Sequence, residues 1–250
     1  MTNPGQSQSI DTSAGPLHCT HLGGELIHRV GYAPNPWAWT PWQYAEDGRF
    51  NGRWDDPDGN WRTLYVGASR LACYLEVLAF ARADPRLALA LADIDEDPDD
   101  AAAHPTASAG ALPKSWCEPR AVATGAVTGW YALPGHHESL PTLRSRFLSL
   151  ALHHGLADVD AAAVRDSRPR ALTQAISGWL YLQQTPDGDD VAGVQFQSRH
   201  GDGLDLWAVY ERPLDPAISP RLTPMRTDPV RRDDPDLVEA MRIHRLQWAP

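Results

Sequence analysis

Apolar and polar positions along this chain change period repeatedly, and each change predicts an element. RLACYLEVLAF (70–80) carries apolar residues on nearly every side of a helical cylinder, the mark of a buried helix. Ser69 stands where an N-cap belongs, and DPR (84–86) is the expected stop. GELIHRVGY (24–32) and WRTLYVGAS (61–69) read as strands, separated by a proline-broken, tryptophan-rich loop, NPWAWTPWQY (35–44). LALALADID (87–95) alternates as a strand does and runs into an acidic connection, 95–110. Residues 119–125 decide for no single period. SLPTLRSRFLSLALHHG (139–155) and RPRALTQAISGWLYLQQ (168–184) have helical spacing, and glycine ends the first. VAGVQFQS (191–198) and LDLWAVYE (204–211) read as paired strands around Gly-Asp-Gly. DDPDLVEAMRIHRLQW (233–248) contains a short amphipathic helix. Strands and helices interleave irregularly, which predicts α+β.

Composition narrows this picture. Hydrophobic residues make up 42% and tryptophans number ten, enough for a substantial core. The net charge of −10 speaks against a nucleic-acid binder, which needs a basic face. No apolar run reaches the roughly 18 residues of a membrane span. Residues 1–16 lack the basic start and apolar centre of a secretory signal. Rich in Ser, Gln, Gly and Pro, they read as a disordered tail, ahead of a catalytic domain at 17–225 and a helical extension at 226–250. Three cysteines, Cys19, Cys73 and Cys117, form no CxxC and fit a reducing cytoplasm.

Most familiar chemistry is missing. There is no GxSxG elbow, no GxxxxGK[ST] and no GxGxxG. HCTH (18–21) and the His pairs at 136–137 and 153–154 lack the paired spacing of a structural zinc site. They read as surface or loop histidines, and no metal is expected. Cys73 lies in an apolar helix and reads as core.

Glu76 is the exception. On the helix it neighbours Ala72, Cys73, Ala79 and Phe80, none of which pairs with a carboxylate. A buried acid is costly unless something specific meets it. It therefore faces water through a small-residue window or faces a site. Other candidates lie along the chain: Arg29 in a strand, Arg53 in a Gly-containing turn, Tyr65 in the strand feeding the helix, and Ser198 closing a strand ahead of Arg199 and His200.

These residues carry a resemblance. "RV" at 29–30, GRWDDPDGNWRTLYVGASRLACYLEVLA (52–79), RALTQAISGWLY (170–181) and GVQFQSR (193–199) resemble the RES domain over about 24–212. The resemblance implies an ADP-ribosyltransferase-like fold, with mainly antiparallel sheets flanked by helices around an NAD cleft. It implies an NAD glycohydrolase or ADP-ribosyltransferase with NAD as substrate. Many members are toxins held by an antitoxin, so an antitoxin and a protein acceptor of ADP-ribose are the partners implied. Residue by residue it falls on Arg29, Arg53, Tyr65, Glu76 and Ser198. Glu76, Arg29 and Ser198 are implied as catalytic; Arg29, Arg53, Tyr65 and Ser198 as NAD-binding. Asp55 stands where asparagine is frequent, and Val30 where some toxins carry tyrosine.

The chemistry suits these groups. Losing nicotinamide leaves positive charge on the ribose, as in glycoside cleavage. A carboxylate hydrogen-bonded to a ribose hydroxyl stabilises that charge most in the transition state. Guanidinium groups match pyrophosphate oxygens. Two other readings stay open: a module that binds nucleotide or partner without turnover, and an interaction domain in which Glu76 is an ordinary exposed residue.

Overall fold

The computed structural model describes residues 6–83, 110–166 and 168–249. The helix stop at 84–86, the strand expected at 87–95 and the acidic stretch up to 109 lie outside these residues. Two long strands organise the rest, β2 (Gly15–Tyr32) and β5 (Arg120–Ala132), paired antiparallel from Cys19↔Ala132 to Tyr32↔Arg120. On its other edge β2 meets β1 (Gln6–Thr12) and, through the single pair His28↔Gly67, β3 (Thr63–Gly67). On its other edge β5 meets β8 (Leu222–Pro229) and, at its C-terminal end, β6 (Val191–Gln197) in parallel. β7 (Asp205–Tyr210) joins β6 to β3 antiparallel. The pairings close a circuit, β2-β3-β7-β6-β5-β2, in which only β5–β6 is parallel. A second, two-stranded parallel sheet joins Ala111–Leu112 (β4) to Gln247–Trp248 (β9).

Among the described residues five α-helices flank the sheet: α1 (Arg70–Leu78), α2 (Leu140–His153), α3 (Ala161–Arg165), α4 (Arg170–Tyr181) and α5 (Pro235–His244). The fold is thus α+β with a mainly antiparallel sheet, as expected. Three apolar clusters hold it. One fills the interior of the strand circuit around Ile27, Leu64, Tyr131 and Val209. A second lies under α2, α3 and α4, and a third joins α1 and α5 to β2 and β5.

Several expectations are corrected here. Residues 6–12 are not a disordered tail but β1, because β2 extends back to Gly15 and offers an edge on which Ile10 is 1% exposed. The polar alternation of QSQSIDT is that of a half-buried edge strand. His18 and His21 belong to β2 rather than to a loop. The undecided stretch at 119–125 is the start of the central strand, whose residues are small because both faces are covered. A Cβ at Gly125 would approach the Trp37 ring to 3.0 Å. The helix of the C-terminal extension docks on its own domain, where Leu237, Ala240 and Met241 share the core of α1. β8 contains Pro224 and Pro229 and reads poorly as a strand, yet it sits at an edge, where proline is tolerated.

Candidate functional site

α1 begins where Ser69 Oγ accepts a hydrogen bond from the Ala72 amide (3.1 Å). Its buried residues, Ala72, Cys73, Tyr74, Leu75 and Leu78, fix its rotation and leave Glu76 partly buried. Glu76 does not look out to bulk water. Ser198 Oγ, fully buried, donates to Glu76 Oε1 at 2.6 Å across 122 residues of sequence. The carboxylate lines a hollow of about 270 Å³ with Arg29, Val30, Tyr65, Val66, Cys73, Val77 and Leu206. Cys73 donates to the His28 carbonyl, and burial pushes its thiol up to about 12, so it is no ready nucleophile.

The two arginines differ in what holds them. Arg29 Nε donates to the Pro36 carbonyl and an Nη to the Tyr65 carbonyl, each at 2.7 Å. Burial lowers it to about 10, which leaves it charged at neutral pH. Two of its five N–H groups are therefore committed to the backbone. Arg53 is 6% exposed, donates to the Arg165 carbonyl (2.7 Å), and lies 4.6 Å from the centre of the Phe196 ring. Burial lowers its pKa, while the negative charge of Glu76 opposes that most strongly; Arg170 and Arg199 add further positive charge nearby. In a chain of net charge −10 this is a local cationic patch.

Tyr65 is tied by its hydroxyl, which donates to Asp55 Oδ1 (2.8 Å) and accepts from the Trp54 amide (2.9 Å). Its ring, not its hydroxyl, remains for a ligand in the hollow. Burial raises Asp55, and the Tyr65 hydrogen bond pulls it back. The turn 52–55 is packed so closely that a Cβ on Gly52 would come within 2.5 Å of both Asp55 Oδ2 and the Tyr65 hydroxyl. α4 props the same turn from below: Gln174 donates to the Gly52 carbonyl and Ser177 to the Trp54 carbonyl. That gives RALTQAISGWLY a structural role the sequence did not disclose.

Arg165 was not anticipated. From the end of the five-residue α3 it donates through Nε and Nη2 to the Ser198 carbonyl (2.9 and 2.7 Å), and also to the Gly201 carbonyl and Asp202. Since its own carbonyl holds Arg53, one residue links Arg53 to the Ser198 turn. His200 stands on the far side of Ser198. Its amide donates to Ser198 Oγ (3.0 Å), and its ring lies 5.0 Å from that of His244. Burial lowers the imidazole to about 4 against the pull of Glu76, so it is neutral at pH 7.

All five residues chosen from the sequence therefore converge, directly or through one intermediate. Beside them stand Phe196 and Arg165, which the sequence did not single out, and Asp55 and His200, which it named without a role. Phe196 had a signal in the alternation of VQFQ; Arg165, amid alanines, had none. His18, His136 and Glu138 bring ligand-type atoms within 4.8 Å of one another. The two imidazoles stack at 3.8 Å with 10° between planes.

Residues 26–135 match the RES domain. The RES stretch contains Arg29, Arg53, Tyr65 and Glu76 and stops short of Ser198, so it is shorter than the resemblance over 24–212. No curated protein matches the chain. Among solved structures, a chain of the crystal structure of the M. tuberculosis MbcT–MbcA toxin–antitoxin complex is 14% identical, with a TM-score of 0.41 over 91% of this chain and 92% of that one. No helix among the described residues is long and apolar enough to cross a membrane.

Proposed function

We propose that this protein cleaves the bond between nicotinamide and ribose in NAD, passing the ADP-ribosyl group to water or to an acceptor hydroxyl or amine. The observation that carries the reading is the Glu76 carboxylate, held by a buried serine at the edge of a hollow that also contains an arginine and a tyrosine ring. Ser198 occupies Oε1; Oε2 has no hydrogen bond among the described residues and is the oxygen for a ribose hydroxyl.

In this reading the C1′–N bond breaks and its electron pair leaves with nicotinamide, neutralising the pyridinium. The ribose is left as an oxocarbenium ion, which Glu76 stabilises through the sugar hydroxyl. Capture by water forms a C–O bond and releases a proton to solvent. Arg53 and Arg29 offset the pyrophosphate charge, and the Tyr65 ring packs the nicotinamide. The match to the RES domain supports the assignment of Arg29, Arg53, Tyr65 and Glu76 to one site.

The test is incubation with NAD, following free nicotinamide and label retained on protein. Release without label indicates hydrolysis, and retained label indicates transfer. Glu76→Gln is expected to lower the rate about 10²- to 10³-fold, the usual cost of one transition-state hydrogen-bonding group, with the circular dichroism spectrum unchanged. Full turnover by that variant, or NAD binding with no product over hours, sinks the proposal.

A further inference from the structure

The start of β2 meets the turn between β5 and α2 at a group of side chains that the NAD reading does not use. His18 Nδ1 donates to Glu138 Oε2 at 2.9 Å, and His136 completes the trio with ligand-type atoms within 4.8 Å of one another. None of the three lines the hollow at Glu76. Their backbones are locked together. The Leu133 amide donates to the His18 carbonyl (2.9 Å), and the His18 amide donates to Ser139 Oγ (3.0 Å), which is fully buried. Within the turn, the His136 amide donates to the Leu133 carbonyl and the Ser139 amide to the His136 carbonyl. The scaffold is fixed, yet the side chains it carries reach solvent: Glu138 is 48% exposed and His18 15%.

We propose that His18, His136 and Glu138 form a binding site for a transition-metal dication, zinc above all. Two imidazoles and a carboxylate are a zinc donor set, with water in the fourth position; magnesium and calcium take oxygen ligands instead. Donors bound at about 2.0–2.2 Å stand roughly 3.3 Å apart around a tetrahedral ion. His18 Nδ1 and Glu138 Oε2 are already nearer than that, joined by a proton. The ion takes that proton's place, and the imidazole carries its own on Nε2. His136 has to move. Its ring lies over the face of His18, centroids 3.8 Å apart, and turns about its side-chain bonds to aim a nitrogen at the ion. Little restrains it among the described residues: a 3.3 Å hydrogen bond from the Glu138 amide and ring contacts with His18 and His137. Bound there, the ion ties the start of β2 to the entry of α2 and stabilises the folded chain by mass action. The sequence hid the site because His18 and Glu138 are 120 residues apart, with no paired ligand spacing at either end.

The experiment is calorimetry on the whole protein, first stripped with a chelator, titrated with zinc and separately with magnesium. One zinc per chain is expected, with a dissociation constant tighter than about 10 µM, and no comparable binding of magnesium. Zinc at roughly a hundredfold excess over that constant is expected to raise the melting temperature by a few degrees. His18→Gln and His136→Gln are each expected to weaken zinc about tenfold or more. His154→Gln, exposed at the end of α2, is expected to bind zinc as the natural protein does. Should His18→Gln fail to fold, His136→Gln, on the turn, decides alone. Zinc that does not bind at roughly 100 µM, magnesium bound as tightly as zinc, full affinity in His136→Gln, or an equal loss in His154→Gln overturns the proposal. Nicotinamide release plays no part in this readout, so the metal site and the NAD reading stand or fall separately.

Discussion

The site has two halves of different origin. One is the turn, strand and helix of residues 52–79, which carries Arg53, Tyr65 and Glu76 within a single continuous stretch. The other is the turn after β6, with Ser198 and His200, fastened by Arg165 from a helix more than thirty residues earlier. In the first half the side chains are placed by local rules: a serine cap, a strand that aims Tyr65 at the 52–55 turn, a helix whose apolar faces fix its rotation. In the second they are placed by hydrogen bonds to backbone carbonyls, which any sequence has. A site can therefore be half written in its motif and half in contacts that leave no motif.

That contrast breaks first if the local half is not self-sufficient. α1 is anchored by α5: Asp234, nearly buried, accepts from the Tyr74 hydroxyl (2.9 Å) and from Arg70, and caps α5 through the Asp236 amide. His244 Nε2 donates to the Leu75 carbonyl at 2.7 Å. Asp234→Ala removes a cap and an ion-pair partner and strands a buried hydroxyl, at a cost of about 3 kcal/mol. Urea denaturation is expected to show that loss. A shift under 1 kcal/mol would mean α1 holds its place without the C-terminal helix.

Arg165→Ala addresses the other half. The lost hydrogen bonds join a charged donor to carbonyls and are worth about 1.5–3 kcal/mol, so nicotinamide release is expected to fall roughly 10- to 100-fold as the Ser198 turn loosens. Lysine at 165 restores the charge but not the fork and is expected to recover little. Full recovery with lysine would show that charge alone is needed. Arg165 acts through Ser198 and Arg53, so the loss should fall on kcat more than on KM.

The limits of the sequence follow the same division. The helix, its cap, the strand before it and the isolation of Glu76 were all legible, because each depends on residues a few positions apart. The partner that makes Glu76 tolerable was legible only by resemblance, because Ser198 arrives from 122 residues away. The first strand was missed since QSQSIDT carries one large apolar residue, and its pairing is decided by the length of β2. The central strand was undecided since AVATGA packs on both faces through small size rather than through large apolar side chains. Arg165 could not be found at all: its carbonyl acceptors are anonymous in a sequence.

Ser198→Ala separates geometry from chemistry. It deletes the donor to Glu76 and the acceptor of the His200 amide, and an amide left unpaired costs about 1–3 kcal/mol. Turnover is expected to drop about tenfold, less than for Glu76→Gln, because the carboxylate remains. A loss as large as that of Glu76→Gln would mean the serine touches the reacting sugar rather than only orienting the acid.

The smallest effect lies in pH. His200 faces Glu76, which favours its protonation, and His244, Arg199 and Arg82, which oppose it, while burial lowers it to about 4. An unfolded chain protonates the same imidazole near pH 6.5. Between those values the unfolded state holds the extra proton, so this group's contribution to stability is complete above pH 6.5 and declines as the pH falls towards 4. Replacing His200 by glutamine removes that decline without removing the backbone amide that supports Ser198. Melting temperature followed from pH 7.5 to 4.5 should therefore fall more steeply for the natural protein than for His200→Gln, by a few degrees at the acid end. Parallel curves would show that the imidazole meets solvent freely, and that the non-local half of the site is more open than its hydrogen bonds imply.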